Sequence, residues 1–151
     1  MAMDRMYTAE ARAHGMRTGA VTSSDERLDV ELSRPSEMGG DGGPGTNPEQ
    51  LFAAGYAACF HSAMRFAVRD LGLSPRDLED SHVTARVHFL KEPPANFQLA
   101  VELEFTAPRL DEEQAAAVME RTHRICPYSK ATAGNIDVEL RVAPRSAVQA
   151  G

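Results

Sequence analysis

Residues 47–71 restrict the fold more than any other stretch, because they read as one long helix with small side chains on several faces. Asn47 can cap this helix with Pro48 at its first position, or Thr46 and Glu49 can form a capping box. Gly72 and Pro75 then stop it near Leu71. Its centre is Phe52-Ala53-Ala54-Gly55-Tyr56-Ala57-Ala58-Cys59-Phe60. So many small residues let other backbones approach closely, and the helix is expected to be buried by the elements around it.

Those elements alternate in the manner of strands. Tyr7 to Arg12 and Gly19 to Ser23 carry short strand patterns, and Arg27 to Ser33 places Leu28, Val30 and Leu32 on one face. Turns fall at His14-Gly15 and Ser24-Asp25. His82 to Leu90 and Phe97 to Thr106 are the clearest strands, joined as a hairpin through Pro93-Pro94-Ala95-Asn96. Asp111-Glu112-Glu113-Gln114 opens a second helix. It should end near Cys126, because Pro127 disfavours helical geometry in the residue before it. Ile136 to Val142 alternates again, and the tail from Pro144 is expected to fray. The glycine-rich run Gly39 to Gly45 lacks the Gly-Lys-Ser/Thr of a phosphate-binding loop and reads as a flexible connector. Strands and helices do not alternate regularly, so the expected class is α+β. A single domain over residues 1–151 is expected, ordered over about 6–142, with a short tail at 144–151.

Bulk properties exclude several functions. A chain of 151 residues, 42% hydrophobic and 25% charged, suits one soluble globular domain with a real core. A net charge of −6 argues against nucleic acid, which needs clustered Lys and Arg, and gives no reason to expect anionic lipid as a partner. The N-terminus, Met1-Ala2-Met3-Asp4-Arg5, lacks the apolar core of a secretory signal. The apolar run Leu51 to Phe60 is too short to span a membrane. The cytoplasm is the expected location, and there two cysteines are rarely a structural staple.

The chemistry centres on those cysteines. Cys59 lies within the buried helix, where apolar surroundings raise a thiol pKa and make it inert. It needs a cation to react, and Arg17, Arg65, Arg69 and Arg121 are the candidates. Arg17 stands out because Gly15-Met16-Arg17-Thr18-Gly19 can approach a neighbour closely, although a solvated loop arginine is the plainer alternative. Cys126 closes a helix, where the negative end of the macrodipole disfavours a thiolate. It suits the second step of a sulfur cycle, in which a thiol condenses with a sulfenic acid to form a disulfide. The fold must bring the two together across the sequence. Glu49 can orient an arginine by paired hydrogen bonds, or it can simply serve the helix start. Ten residues separate Glu49 from Cys59, about 15 Å of helical rise. A two-fold axis near Ala54 would place a partner's Glu49 beside Cys59, so the site is expected at a homodimer interface.

Rival readings remain. Cys59-x-His61 and His123-x-x-Cys126 suggest zinc, but residues two apart on a helix diverge by about 200°. Cys126-Pro127 resembles a glutaredoxin motif, yet it closes a helix instead of opening one after a strand. A non-enzymatic binding protein with inert thiols is the third alternative.

The stretch from Gly45 to Phe60 resembles the organic hydroperoxide resistance proteins, the Ohr branch of the OsmC/Ohr family. So do His123-Arg124-Ile125-Cys126-Pro127-Tyr128-Ser129, Ala131-Thr132, Gly134 to Val138, and the start Tyr7-Thr8-Ala9. The resemblance implies antiparallel sheets wrapped around two central helices in an intertwined homodimer. It implies that Cys59 is the peroxidatic cysteine, that Cys126 resolves it, and that Arg17 and Glu49 form the ion pair that activates it. The implied substrates are organic and fatty-acid hydroperoxides, and the implied reductant is a dithiol such as the dihydrolipoyl group of a lipoylated protein. No metal or bound cofactor is implied. Phe52, Phe60, Met64 and Tyr128 are candidates for an acyl-chain pocket, with core packing as their competing role. Met16, His61 and Lys130 depart from the family pattern and bear on pocket shape and substrate preference.

Overall fold

The computed structural model describes residues 2–144, so all of the expected tail except Pro144 lies outside the described residues. The chain forms two compact units, one ending at Leu51 and one beginning at Phe52.

The first unit is built on a three-stranded antiparallel sheet, β1 (Ala11–His14), β2 (Ala20–Ser23) and β3 (Asp29–Glu31), in that order. β1 starts four residues later than its alternation suggests. Its length is set by its partner: β2 has four residues, and on this edge they pair with Ala11–His14. The β2–β3 turn falls at Ser24-Asp25 as expected. Ser23 donates to Asp25 Oδ1 at 2.6 Å, and Leu28 N–H returns to Ser23 Oγ at 3.0 Å. The β1–β2 connection is a single 3-10 turn, Met16–Thr18. Gly15 enters it at φ 73°, and a Cβ on Gly19 would collide with the His14 carbonyl oxygen. Both glycines are therefore required for the turn that carries Arg17. The glycine-rich connector after β3 returns to its own start. Ser33 N–H donates to the Thr46 carbonyl and Thr46 N–H to the Glu31 carbonyl, each at 2.9 Å.

Helix α1 (Pro48–Asp70) follows. Of its two possible caps the Asn47 form is realised, with Asn47 Oδ1 accepting Gln50 N–H at 2.8 Å and Pro48 first in the helix. Thr46 bonds to Gln50 instead of Glu49. Gly72, at φ 72°, ends the helix, and Leu73 N–H caps the Val68 carbonyl at 2.8 Å.

In the second unit, β4 (His82–Glu92) and β5 (Asn96–Thr106) pair antiparallel along their full length. The chain then runs through α2 (Glu112–Ile125) and α3 (Pro127–Thr132) to β6 (Val138–Val142). β6 pairs with β5 in parallel, so this sheet is mixed where purely antiparallel sheets were expected. A two-helix crossover between the strands returns the chain to the end from which β5 set out, and that dictates a parallel partner. The core lies on one face of the sheet. Leu103 and Phe105 of β5, Val118 and Met119 of α2, and Tyr56, Phe60, Met64 and Val68 of α1 share one buried cluster. The opposite face carries ion pairs of Arg86 and Arg141 with Glu102 and Glu104. Among the described residues no helix is long and apolar enough to cross a membrane.

Candidate active site

The second unit brings the two cysteines together. Pro127 excludes helical geometry at Cys126, which takes φ −59° and ψ 124° between α2 and α3. Its N–H still closes the last turn of α2 on the Thr122 carbonyl at 2.8 Å, and its own carbonyl accepts from Lys130 N–H at 3.0 Å in α3. This corner directs the fully buried Cys126 side chain at α1. Its thiol donates to Cys59 Sγ at 3.6 Å, across 67 positions of sequence. Both cysteines are free. A disulfide requires about 2.05 Å, so closing it needs an approach of about 1.5 Å, within reach of side-chain rotation and small helix shifts.

Burial is the largest influence on Cys59, and it pushes the thiol up from its ordinary value. The backbone N–H of Tyr128 favours the charged form and acts in the opposite direction, whereas the neighbouring Cys126 thiol pushes it up further. None of these influences is a cation. The Tyr128 N–H is a contribution that the sequence cannot reveal, because every residue except proline carries that group.

The candidate cation lies in the first unit. Arg17 donates from Nη1 to Glu49 Oε2 at 2.9 Å and from Nη2 to Glu49 Oε1 at 2.7 Å, the paired geometry expected of a guanidinium and a carboxylate. Hydrogen bonding to Arg17 holds the Glu49 carboxyl below its usual range against the opposing effect of burial. The bond to Glu49 likewise raises Arg17. Of the other candidate cations, Arg121 is held by Asp70 at 2.7 Å and Arg69 is exposed. Arg65 stacks over the Phe66 ring, with its guanidinium carbon 5.0 Å from the centroid.

A buried polar network stands behind the sulfurs. Tyr56 Oη on α1 lies 2.9 Å from Ser129 Oγ and 3.2 Å from Thr132 Oγ1 on α3, and His123 Nδ1 on α2 lies 2.8 Å from the same Ser129. One serine thus ties three helices together. Ser129→Ala would strip His123 Nδ1 of this bond and leave Tyr56 to Thr132 alone. The expected cost is about 1–3 kcal/mol, read as a lower urea midpoint with an unchanged slope. An unchanged midpoint would show that the network does not hold α3.

Two cavities flank Pro127. One, of about 820 Å³, is walled by Phe52, Phe97, Leu99, Tyr128 and Ile136 among others. The other, of about 460 Å³, opens on Cys59 itself and is lined by Ser62, Arg65, Phe66, Ile125 and Pro127 as well. Of the four candidate pocket residues, Phe52 and Tyr128 line the first cavity. Phe60 and Met64 are fully buried in the core and line neither. Gly55 matters here, since a Cβ at that position would come 2.7 Å from Tyr128 Oη and displace the ring.

The residues that suggested zinc have other partners. His61 Nε2 lies 2.9 Å from Ser81 Oγ, and its ring is pulled down by burial and by His82. His123 joins the Ser129 network. Among the described residues no group of three or more His, Cys, Asp or Glu is arranged to hold a metal ion. Met16 takes φ 54°, a left-handed conformation that favours glycine. Lys130 is exposed on α3.

Comparison with known proteins places this arrangement. The sequence pattern of the family described as OsmC-like protein matches residues 39–141. An organic hydroperoxide resistance protein of Xanthomonas axonopodis pv. citri (strain 306) is 47% identical over 140 residues, covering 91% of this chain and 95% of the relative. The crystal structure of an organic hydroperoxide resistance protein OsmC from Legionella pneumophila superposes with a TM-score of 0.85 at 43% identity, covering 93% of this chain and all of that one. That of the organic hydroperoxide resistance protein OhrB of Bacillus subtilis gives 0.81 at 38% identity, covering 92% and 100%. The chain belongs to the OsmC/Ohr family, within its organic hydroperoxide resistance branch.

Proposed function

We propose that the chain is a cysteine-based peroxidase that reduces organic hydroperoxides, including those of fatty acids, to alcohols. The observation that carries this reading is the 3.6 Å approach of Cys126 Sγ to Cys59 Sγ. A pair so placed suits a two-step sulfur cycle. The Cys59 thiolate attacks the distal peroxide oxygen, the O–O bond breaks, and the alkoxide leaves with a proton as alcohol. Cys59 is then a sulfenic acid. Cys126 attacks that sulfur, water departs, and a disulfide forms. A dithiol such as a dihydrolipoyl group reduces the disulfide and is itself oxidised. Arg17 supplies the positive charge that favours the thiolate, and Glu49 orients Arg17. The peroxidase acts in the cytoplasm as an intertwined homodimer, in oxidative stress defence, without a metal or bound cofactor. The relatives' shared description, organic hydroperoxide resistance, supports a role in peroxide detoxification.

A second reading has one observation in its favour. Burial alone would keep Cys59 a neutral thiol, as in a binding protein with inert cysteines. Peroxide consumption driven by dihydrolipoamide separates the two readings. The peroxidase reading expects continuous turnover of cumene hydroperoxide, slower turnover of hydrogen peroxide, and a Cys59–Cys126 disulfide in the peptide mass map after oxidant alone. Stoichiometric, slow oxidation without that disulfide would favour inert thiols.

A further inference from the structure

We propose that Arg65 is a specificity-determining residue that receives the carboxylate of an amphiphilic hydroperoxide whose peroxide group lies at Cys59. This rests on the peroxidase reading and goes further, by naming the end of the substrate remote from the chemistry. The cavity that opens on Cys59 is walled by hydrocarbon from Ala63, Phe66, Ile125 and Pro127. Arg65 is the one charged side chain along that wall. Among the described residues no carboxylate lies within ion-pair distance of it, whereas Arg17, Arg86, Arg109, Arg121 and Arg141 all have one. Its stacking on Phe66 holds the guanidinium at the cavity without neutralising it. An unneutralised guanidinium beside an apolar trough matches a ligand with a hydrocarbon body and an anionic end.

The spacing agrees with this. Ala63 and Phe66 stand four and seven positions after Cys59 and share its helix face, so hydrocarbon continues directly from the sulfur. Arg65 stands six positions along, a rise of about 9 Å. A substrate that spans both ends therefore carries its carboxylate several methylenes from its peroxide. A compact hydroperoxide with no charge leaves Arg65 unused.

The test compares a fatty-acid hydroperoxide with its own methyl ester in the dihydrolipoamide-coupled assay. For the wild type the free acid should be preferred. Arg65→Gln should lower the ratio of kcat/KM for acid over ester by about three- to tenfold, mostly through KM, since the contact is a partly solvated charge-assisted hydrogen bond. Arg65→Lys should keep the ratio within about twofold of wild type, and salt should erode the preference as charges are screened. A ratio unchanged in Arg65→Gln overturns the proposal, even if both rates fall together. A wild type that turns over neither substrate defeats the peroxidase reading instead. Arg65 is then judged by binding of dodecanoate against methyl dodecanoate to the same proteins. Equal binding of the two by wild type, or equal weakening of both in Arg65→Gln, overturns the proposal.

Discussion

Replacing Cys59 by serine should abolish hydroperoxide consumption in the dithiol-coupled assay, and Cys126→Ser should consume about one to two equivalents per chain and then stall. The contrast follows from where each sulfur sits. Cys59 borders the cavity through which a peroxide would reach it, whereas Cys126 is fully buried behind it, with its thiol aimed at Cys59. A serine hydroxyl stays protonated at neutral pH and cannot attack an O–O bond as a thiolate does. In Cys126→Ser the first step survives, but no thiol waits to trap the sulfenic acid. Excess peroxide then drives Cys59 to the sulfinic state, visible as two added oxygens in the mass of its peptide. Both substitutions are nearly isosteric, so circular dichroism should match wild type. Full turnover by Cys126→Ser would show that another group resolves the sulfenic acid. Turnover by Cys59→Ser would defeat the assignment of the nucleophile.

Much of this arrangement could be read from the residues. Asn47-Pro48 and Gly72 mark α1 to within a residue because caps and stops are local chemistry. Asp111 and Gln114 mark the start of α2 for the same reason. The alternation of Val101, Leu103 and Phe105 identifies the buried face of β5. It carries no information on strand direction, so the parallel pairing of β6 is not legible in it. α3 is hidden in the sequence because Pro127 marks the end of α2, although proline serves equally well at the first position of a new helix. Phe60 and Met64 fall four and eight positions after Tyr56, the stripe that packs on the sheet, so helical period argues for core over pocket. The meeting of Cys59 with Cys126 follows from no local rule. It needs the corner at Cys126 and the packing of α1 with α2, both long-range outcomes.

The second large effect concerns the charge that would make Cys59 reactive. Replacing Arg17 by methionine should shift the pH dependence of Cys59 alkylation to higher pH and slow peroxide reaction near neutrality. Burial already pushes the thiol up, and the Tyr128 N–H acts against it. A nearby cation favours the charged form, so on the proposed reading the loss of Arg17 raises the titration point. Below the titration point each pH unit removes about tenfold of the thiolate. A more basic thiolate is also a better nucleophile, with a Brønsted slope of about 0.4–0.5, which returns roughly half of that loss on a logarithmic scale. The net expectation is a drop of about tenfold at neutral pH, largely recovered in alkaline buffer.

Glu49→Gln separates the two roles a carboxylate can play beside that arginine. If Glu49 orients Arg17, the glutamine variant loses rate and its titration rises. If Glu49 chiefly neutralises Arg17, the same variant titrates lower than wild type. The comparison belongs above the ordinary carboxylate range. Glu49 is depressed when folded, so its contribution to stability is complete above its unfolded value and fades as pH falls through the folded one. Superimposable alkylation profiles for wild type and Arg17→Met would remove Arg17 from the mechanism. A wild-type thiol that itself titrates above the ordinary cysteine range would then leave burial as the dominant influence on Cys59, and with it the inert-thiol reading.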